Sequence, residues 1–213
     1  MLENLFDTNG TFARLMNFLW NLILVSVLWL VCCLPVVTLG AASTAAYYTM
    51  AKAVRRHNGT VISEFFHSFR QNFKQATVLT LIYGAVLVFL LLDCSYFYNN
   101  QAPYSRELLY LFYAMICMVI VHMHYLFPAL SRFTESNFRL FRMAIVMMFR
   151  HLLSSILLLV LFLAAVVGVI WVPWGVLLFP GILVCVHSFL TEKILRKFAP
   201  PPSEEDMDKW YYQ

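Results

Sequence analysis

Charge is the scarcest ingredient of this chain. Of its 213 residues only 12% are charged, 15 Lys or Arg against 11 Asp or Glu, while 62% are hydrophobic and 16% aromatic. An average soluble domain is about 25% charged and roughly 45–50% apolar, so no water-exposed fold of this length absorbs the excess. Dense Lys/Arg runs are missing too: the basic residues sit beside apolar segments. The net charge of +4 therefore reads as a membrane topology signal, and nucleic-acid binding is not expected.

Two further absences narrow the chemistry. Cys-x-x-Cys spacing does not occur. Cys32, Cys33, Cys94, Cys117 and Cys185 each lie inside or at the edge of an apolar run, where they act as small hydrophobes, so no metal or redox site is expected. His-Glu-x-x-His, Gly-x-Ser-x-Gly, a P-loop and paired intramembrane aspartates are also lacking. The expectation is a protein that is not an enzyme, with no catalytic residue and no cofactor, so that any energy-coupled role needs a partner.

What the sequence has in abundance is long apolar runs. A transmembrane helix takes about 20 mainly apolar residues, with roughly 17 as a lower limit. Runs 18–34, 76–97, 108–130 and 152–171 satisfy this, and 174–190 is shorter but uncharged until Glu192. Pro173 sets the last two apart as a tight hairpin. Run 18–34 is longer than a secretory signal core and follows Glu3 and Asp7, so it reads as a retained span.

Segment 41–54 is built from Ala, Ser, Thr and Tyr and suits close helix packing. Pro35 and Gly40 break the chain before it, and Thr38 is a candidate N-cap. The fold expected is all-α: a polytopic helical membrane domain over 1–198 with six spans, five being the alternative, followed by a polar tail over 199–213. Ala199-Pro200-Pro201-Pro202 stops any helix, and Trp210, Tyr211 and Tyr212 close the tail as a candidate docking cluster.

Charge placement orients the domain. Lys52, Arg55, Arg56, Arg70 and Lys74 face Glu64 alone, and Arg132, Arg139, Arg142 and Arg150 face Glu135 alone, which puts both loops in the cytoplasm. Lys193, Arg196 and Lys197 put the C-terminus there too. The opposite loop, 98–107, carries Arg106 and Glu107 with interface tyrosines. Both cytoplasmic loops have helical amphipathic periodicity. Ile62, Phe65, Phe66, Phe69, Phe73 and Ala76 oppose Glu64, His67, Arg70, Gln71 and Lys74 in a helix expected to lie on the membrane surface. Phe66, Phe69, Arg70, Phe73 and Lys74 form a candidate partner-docking face. Phe138, Phe141, Ile145, Met148 and Phe149 give a rougher version in the second loop. The recurrence of Phe-Arg before spans, and of Leu-Phe-Pro at 126–128 and 178–180, raises a weak internal duplication.

Ionisable and amide groups inside spans are the functional candidates. Asn17, Asn21, His122, His124 and His187 are candidates for an inner polar cavity, and Asp93 for an outer polar site; ordinary interhelical hydrogen bonding is the competing account for each. His122 and His124, two residues apart, point to nearly opposite sides of a helix and cannot pair locally on a metal.

Leu34-Pro35-Val36-Val37-Thr38-Leu39-Gly40-Ala41, Phe69-Arg70-Gln71-Asn72-Phe73-Lys74-Gln75-Ala76 and Tyr125-Leu126-Phe127-Pro128-Ala129-Leu130-Ser131-Arg132-Phe133, in that order, resemble the YesL-like family of small bacterial membrane proteins of unknown function. The resemblance implies a multi-pass protein of the bacterial cell membrane. It also implies association with carbohydrate-uptake ABC transporters or sugar-responsive two-component sensor kinases, and offers no established active site to carry over. The expected role is an accessory component of carbohydrate uptake, with a small secondary transporter or channel as the alternative.

Overall fold

The computed structural model describes residues 11–99 and 104–198, and within them the regular structure is helical. Seven α-helices follow one another: α1 (Thr11–Cys33), α2 (Leu39–Thr49), α3 (Val61–Asn99), α4 (Ser105–Leu130), α5 (Asn137–Arg150), α6 (Leu152–Trp171) and α7 (Phe179–Phe198). Four of them, α1, α3, α4 and α6, are long and apolar enough to cross a membrane. Their apolar windows are only 11–28% buried within the protein, which is the pattern of a multi-pass membrane protein whose side chains face lipid.

Burial is unevenly distributed. The far part of α3 exposes Leu81, Ile82, Val88, Phe89, Leu91 and Leu92, and α6 exposes Leu153, Ile156, Val160 and Ile170. Most of the largest fully buried side chains, Tyr47, Tyr125, Phe65, Met50, Leu126, Leu140 and Leu195 among them, gather instead where α2, the start of α3, the last turns of α4, α5 and the last turns of α7 meet. That is also where most of the basic residues are, and we call it the basic end. At the far end, Phe97 of α3 stacks on Phe112 of α4 with ring centroids 5.5 Å apart.

Proline punctuation explains the first turn. A residue before proline is pushed out of helical geometry, so α1 stops just ahead of Leu34-Pro35, and a 3-10 turn over Val36–Thr38 reverses the chain. Thr38 stands at the N-cap of α2, as expected, but its hydroxyl makes no cap bond there: it reaches back to the carbonyls of Pro35, at 2.6 Å, and Cys32, and so closes the end of α1. With its last turn widened into a π turn over Met50–Val54, α2 runs 16 residues. At 1.5 Å per residue that is about 24 Å, short of the roughly 30 Å hydrocarbon core. Gly40, Ala41, Ala42, Ala45 and Ala46 are all buried, as small residues in close helix contacts should be. Gly40 lies against Thr80 of α3 and Phe127 of α4, so a Cβ there would stand 2.2 Å from the Thr80 hydroxyl. Thr80 is 17 residues, about 25 Å along α3, from the Phe97 stack. Along α3, therefore, α2 covers only the basic part.

The two amphipathic loop segments exchange roles relative to expectation. Residues 62–76 do not form a separate surface helix. They are the opening turns of the unbroken 39-residue α3, about 58 Å long, and Val61, Phe65 and Ser68 bury one face against the last turns of α2. The rougher segment is the one that forms a helix of its own, α5. The Phe141 carbonyl accepts from His122 Nε2 at 3.2 Å, and the Met148 carbonyl accepts from Ser155 Oγ, which lies 3.1 Å from the Tyr125 hydroxyl. α5 thus packs on α4, with Ser155 of α6 bridging the two.

After α6, Pro173–Leu177 forms a 3-10 turn and α7 begins at Phe179, later than the expected 174. Leu-Phe-Pro therefore ends α4 in one copy and starts α7 in the other, and Phe69-Arg70 lies inside α3 while Phe149-Arg150 ends α5. These unlike positions remove the support for an internal duplication.

Candidate functional site

Glu192, in the penultimate turns of α7, is the only acidic residue between Glu135 and the tail. It is 6% exposed. The Arg132 guanidinium, just past the end of α4, contacts its Oε1; Arg56, just past α2, donates to the same oxygen at 3.1 Å; and Arg196, one turn on, sits 3.9 Å away. Tyr47 of α2 donates its phenol to Oε2 at 3.3 Å. One carboxylate thus ties the ends of α2, α4 and α7 together. Burial is the largest influence on Arg56 and lowers its guanidinium from the ordinary value, with Glu192 acting in the opposite direction.

A polar line leads from this carboxylate into the bundle. The Thr191 hydroxyl lies between the Tyr47 phenol, at 3.0 Å, and the His187 carbonyl, at 2.9 Å. The His187 ring meets Tyr47 edge-on at 5.7 Å and His124 at 5.3 Å. Its Nε2 is buried and, among the described residues, has no hydrogen-bond partner. The His124 carbonyl nearby lacks its helical donor, because the residue four positions on is Pro128, which has no N–H. His124 turns its own Nδ1 to the Ile120 carbonyl at 2.9 Å.

Of the five candidate cavity residues the structure joins two, His124 and His187. His122 points elsewhere, as its spacing requires: Nε2 donates to the Phe141 carbonyl, so Nδ1 accepts from the Tyr83 hydroxyl at 2.5 Å. Asn17 is exposed and Asn21 half-buried on α1. Asp93 is half-buried near the far end of α3, well away from the line. Among the described residues, no three His, Cys, Asp or Glu converge as a metal-ligand group. On the expected docking face Phe66, Arg70, Phe73 and Lys74 are exposed, while Phe69 is half-buried, stacked on Phe65 at 6.3 Å and tilted against Phe73. The C-terminal aromatic cluster lies outside the described residues.

Glu192, Arg132, Arg56, Tyr47 and Thr191 are absent from the sequence-derived candidates. One signal was there to find: a single acid among Lys193, Arg196 and Lys197 needs neutralising. Its main partner lies 60 residues away, and nothing local announces it.

Four helices of this length and apolarity are consistent with a helical multi-pass membrane protein. Within that class, residues 22–94 match the family model described as Protein of unknown function, DUF624. The match takes in α2, nearly all of α3 and the first two of the three motifs above, and stops short of Arg132 and Glu192. Among curated proteins and solved structures, none matches the chain.

Proposed function

We propose that the protein is a non-enzymatic accessory component of carbohydrate uptake in the bacterial cell membrane. In this reading six inserted helices place the basic end and the C-terminus in the cytoplasm, and the partner is an ABC permease or a sugar-sensing two-component kinase. The observation that carries it is the first part of α3. Its inner face is held by α2, yet Ile62, Phe66 and Phe73 stand exposed beside His67, Arg70, Gln71 and Lys74, an aromatic and basic face suited to another protein. The link to carbohydrate uptake rests on the YesL-like resemblance, and the basic end is assigned to the cytoplasm by its lysines and arginines. Purification in several mild detergents should co-recover a permease, its ATPase or a sensor kinase, and Phe66→Ala with Phe73→Ala should reduce that recovery several-fold without lowering the melting temperature. Recovery of none of these partners in any detergent refutes the reading.

The line from His124 through His187, Tyr47 and Thr191 to Glu192 favours a second reading, a small transporter moving a polar solute or proton. Flux in liposomes that persists unchanged when both histidines are replaced by apolar residues excludes it.

A further inference from the structure

The geometry of α5 points to a binding surface for anionic phospholipid. α5 packs on α4 and is joined to α6 through His151 alone, and α6 opens with exposed Leu152 and Leu153, 83% accessible in the latter case. A helix that follows the end of one membrane-crossing helix and stops where the next begins lies at the bilayer boundary. Its protein-facing side is settled, since Leu140, Ala144, Met147 and Met148 are buried.

The opposite side carries two rows. One is apolar and aromatic: Phe138, Phe141 and Phe149 are exposed and Ile145 is half-exposed. Beside it run Arg139, Arg142 and Arg150, all exposed, and Asn137–Arg150 contains no acidic residue. Among the described residues only Arg139 of the three has a carboxylate, Glu135 at 3.0 Å, on an open surface where such a pair holds weakly. Arg142 and Arg150 lie over aromatic rings instead, Phe138 at 5.7 Å and Phe198 at 6.0 Å. An open cleft of about 390 Å³ lies between Glu135, Arg139, Arg142, Met143, Val146 and Phe198, its one carboxylate already held by Arg139.

Charge complementarity selects the occupant. Guanidinium groups fork onto phosphate oxygens, and an adjacent aromatic row at the same depth receives acyl chains. A zwitterionic lipid supplies the chains but adds an ammonium that the arginines repel, so the surface takes phosphatidylglycerol-like lipids in preference to phosphatidylcholine. Each basic residue near an anionic surface contributes appreciably, and three act together.

The test is native mass spectrometry of the full-length protein from mixed micelles holding equal amounts of phosphatidylglycerol and phosphatidylcholine, counting retained lipids. The wild type should retain the anionic lipid at least threefold over the zwitterionic one. Arg139→Gln/Arg142→Gln/Arg150→Gln should bring the ratio close to one, and Arg70→Gln/Lys74→Gln on α3 should leave it unchanged. If the triple variant fails to melt cooperatively, Arg142→Gln alone should still lower the ratio about twofold. No preference in the wild type, an unchanged ratio in the α5 variants, or an equal loss in the α3 variant overturns the proposal.

Discussion

Glu192 shows how much one side chain can decide in a chain with few charges. Removing two ions from water is expensive, and their attraction only roughly compensates, so a buried pair adds little net stability; removing one partner, however, leaves the other buried without compensation. With the Arg132 side chain 1% exposed, Glu192→Gln should destabilise the protein by about 3–5 kcal/mol. Thermal unfolding in detergent measures it. Glu64→Gln, which breaks the wetter Lys52–Glu64 pair at 2.7 Å, should cost about 1 kcal/mol or less. Little of this was legible beforehand. Histidines and asparagines inside apolar runs stand out in a sequence, whereas Arg56, Arg132 and Glu192 look like ordinary flanking charges until the fold brings them within reach.

At the level of helices, two glycines set the spacing. Gly181 opens α7 by donating its N–H to Ser26 Oγ of α1 at 2.8 Å, and Gly40 does the same to Thr80 Oγ1 of α3 at 3.1 Å. In each case a neighbouring hydroxyl satisfies one of the unpaired donors of a helix start. A Cβ on Gly181 would lie 2.4 Å from the Leu22 carbonyl oxygen, which belongs to backbone and cannot turn aside. Gly181→Ala should therefore push α1 from α7 and lower the melting temperature by several degrees. Gly84→Ala, on α3 with nothing within 4 Å of the new methyl, should hold or slightly raise it, because alanine favours a helix by up to about 1 kcal/mol. Helix existence was largely readable from apolar runs, and the small residues of α2 announced its burial. Helix continuity was not. Val61, Phe65 and Ser68 present the same i, i+4, i+7 periodicity whether a helix lies on lipid or is held by another helix, so the joining of 62–76 to the span that follows left no mark in the pattern.

For the whole molecule, the asymmetry between a densely packed basic end and a loosely packed far end makes a directional prediction. In oriented vesicles, single cysteines at Ser63, Gln71 and Lys193 in a cysteine-free background should all react with a membrane-impermeant maleimide from one side, and a cysteine at Glu107 from the other. Reaction of the first three from different sides refutes the arrangement of α3 and α7. Charge counting anticipated these ends because lysine and arginine carry topological weight locally. It could not anticipate that most tertiary packing gathers at one of them, since the packing depends on α2 reaching only part of the way along α3.

That α3 is a single uninterrupted rod has a mechanical consequence. Its lipid-facing half and its protein-held half share one axis, so they cannot tilt independently. Pivoting about Thr80, where Gly40 of α2 abuts it, a 10° inclination would carry Val61, about 28 Å away, sideways by roughly 5 Å. A tilt of the stretch carrying Phe89 and Leu92 would therefore have to be taken up at the contact between α2 and the first turns of α3, beside Phe66 and Arg70.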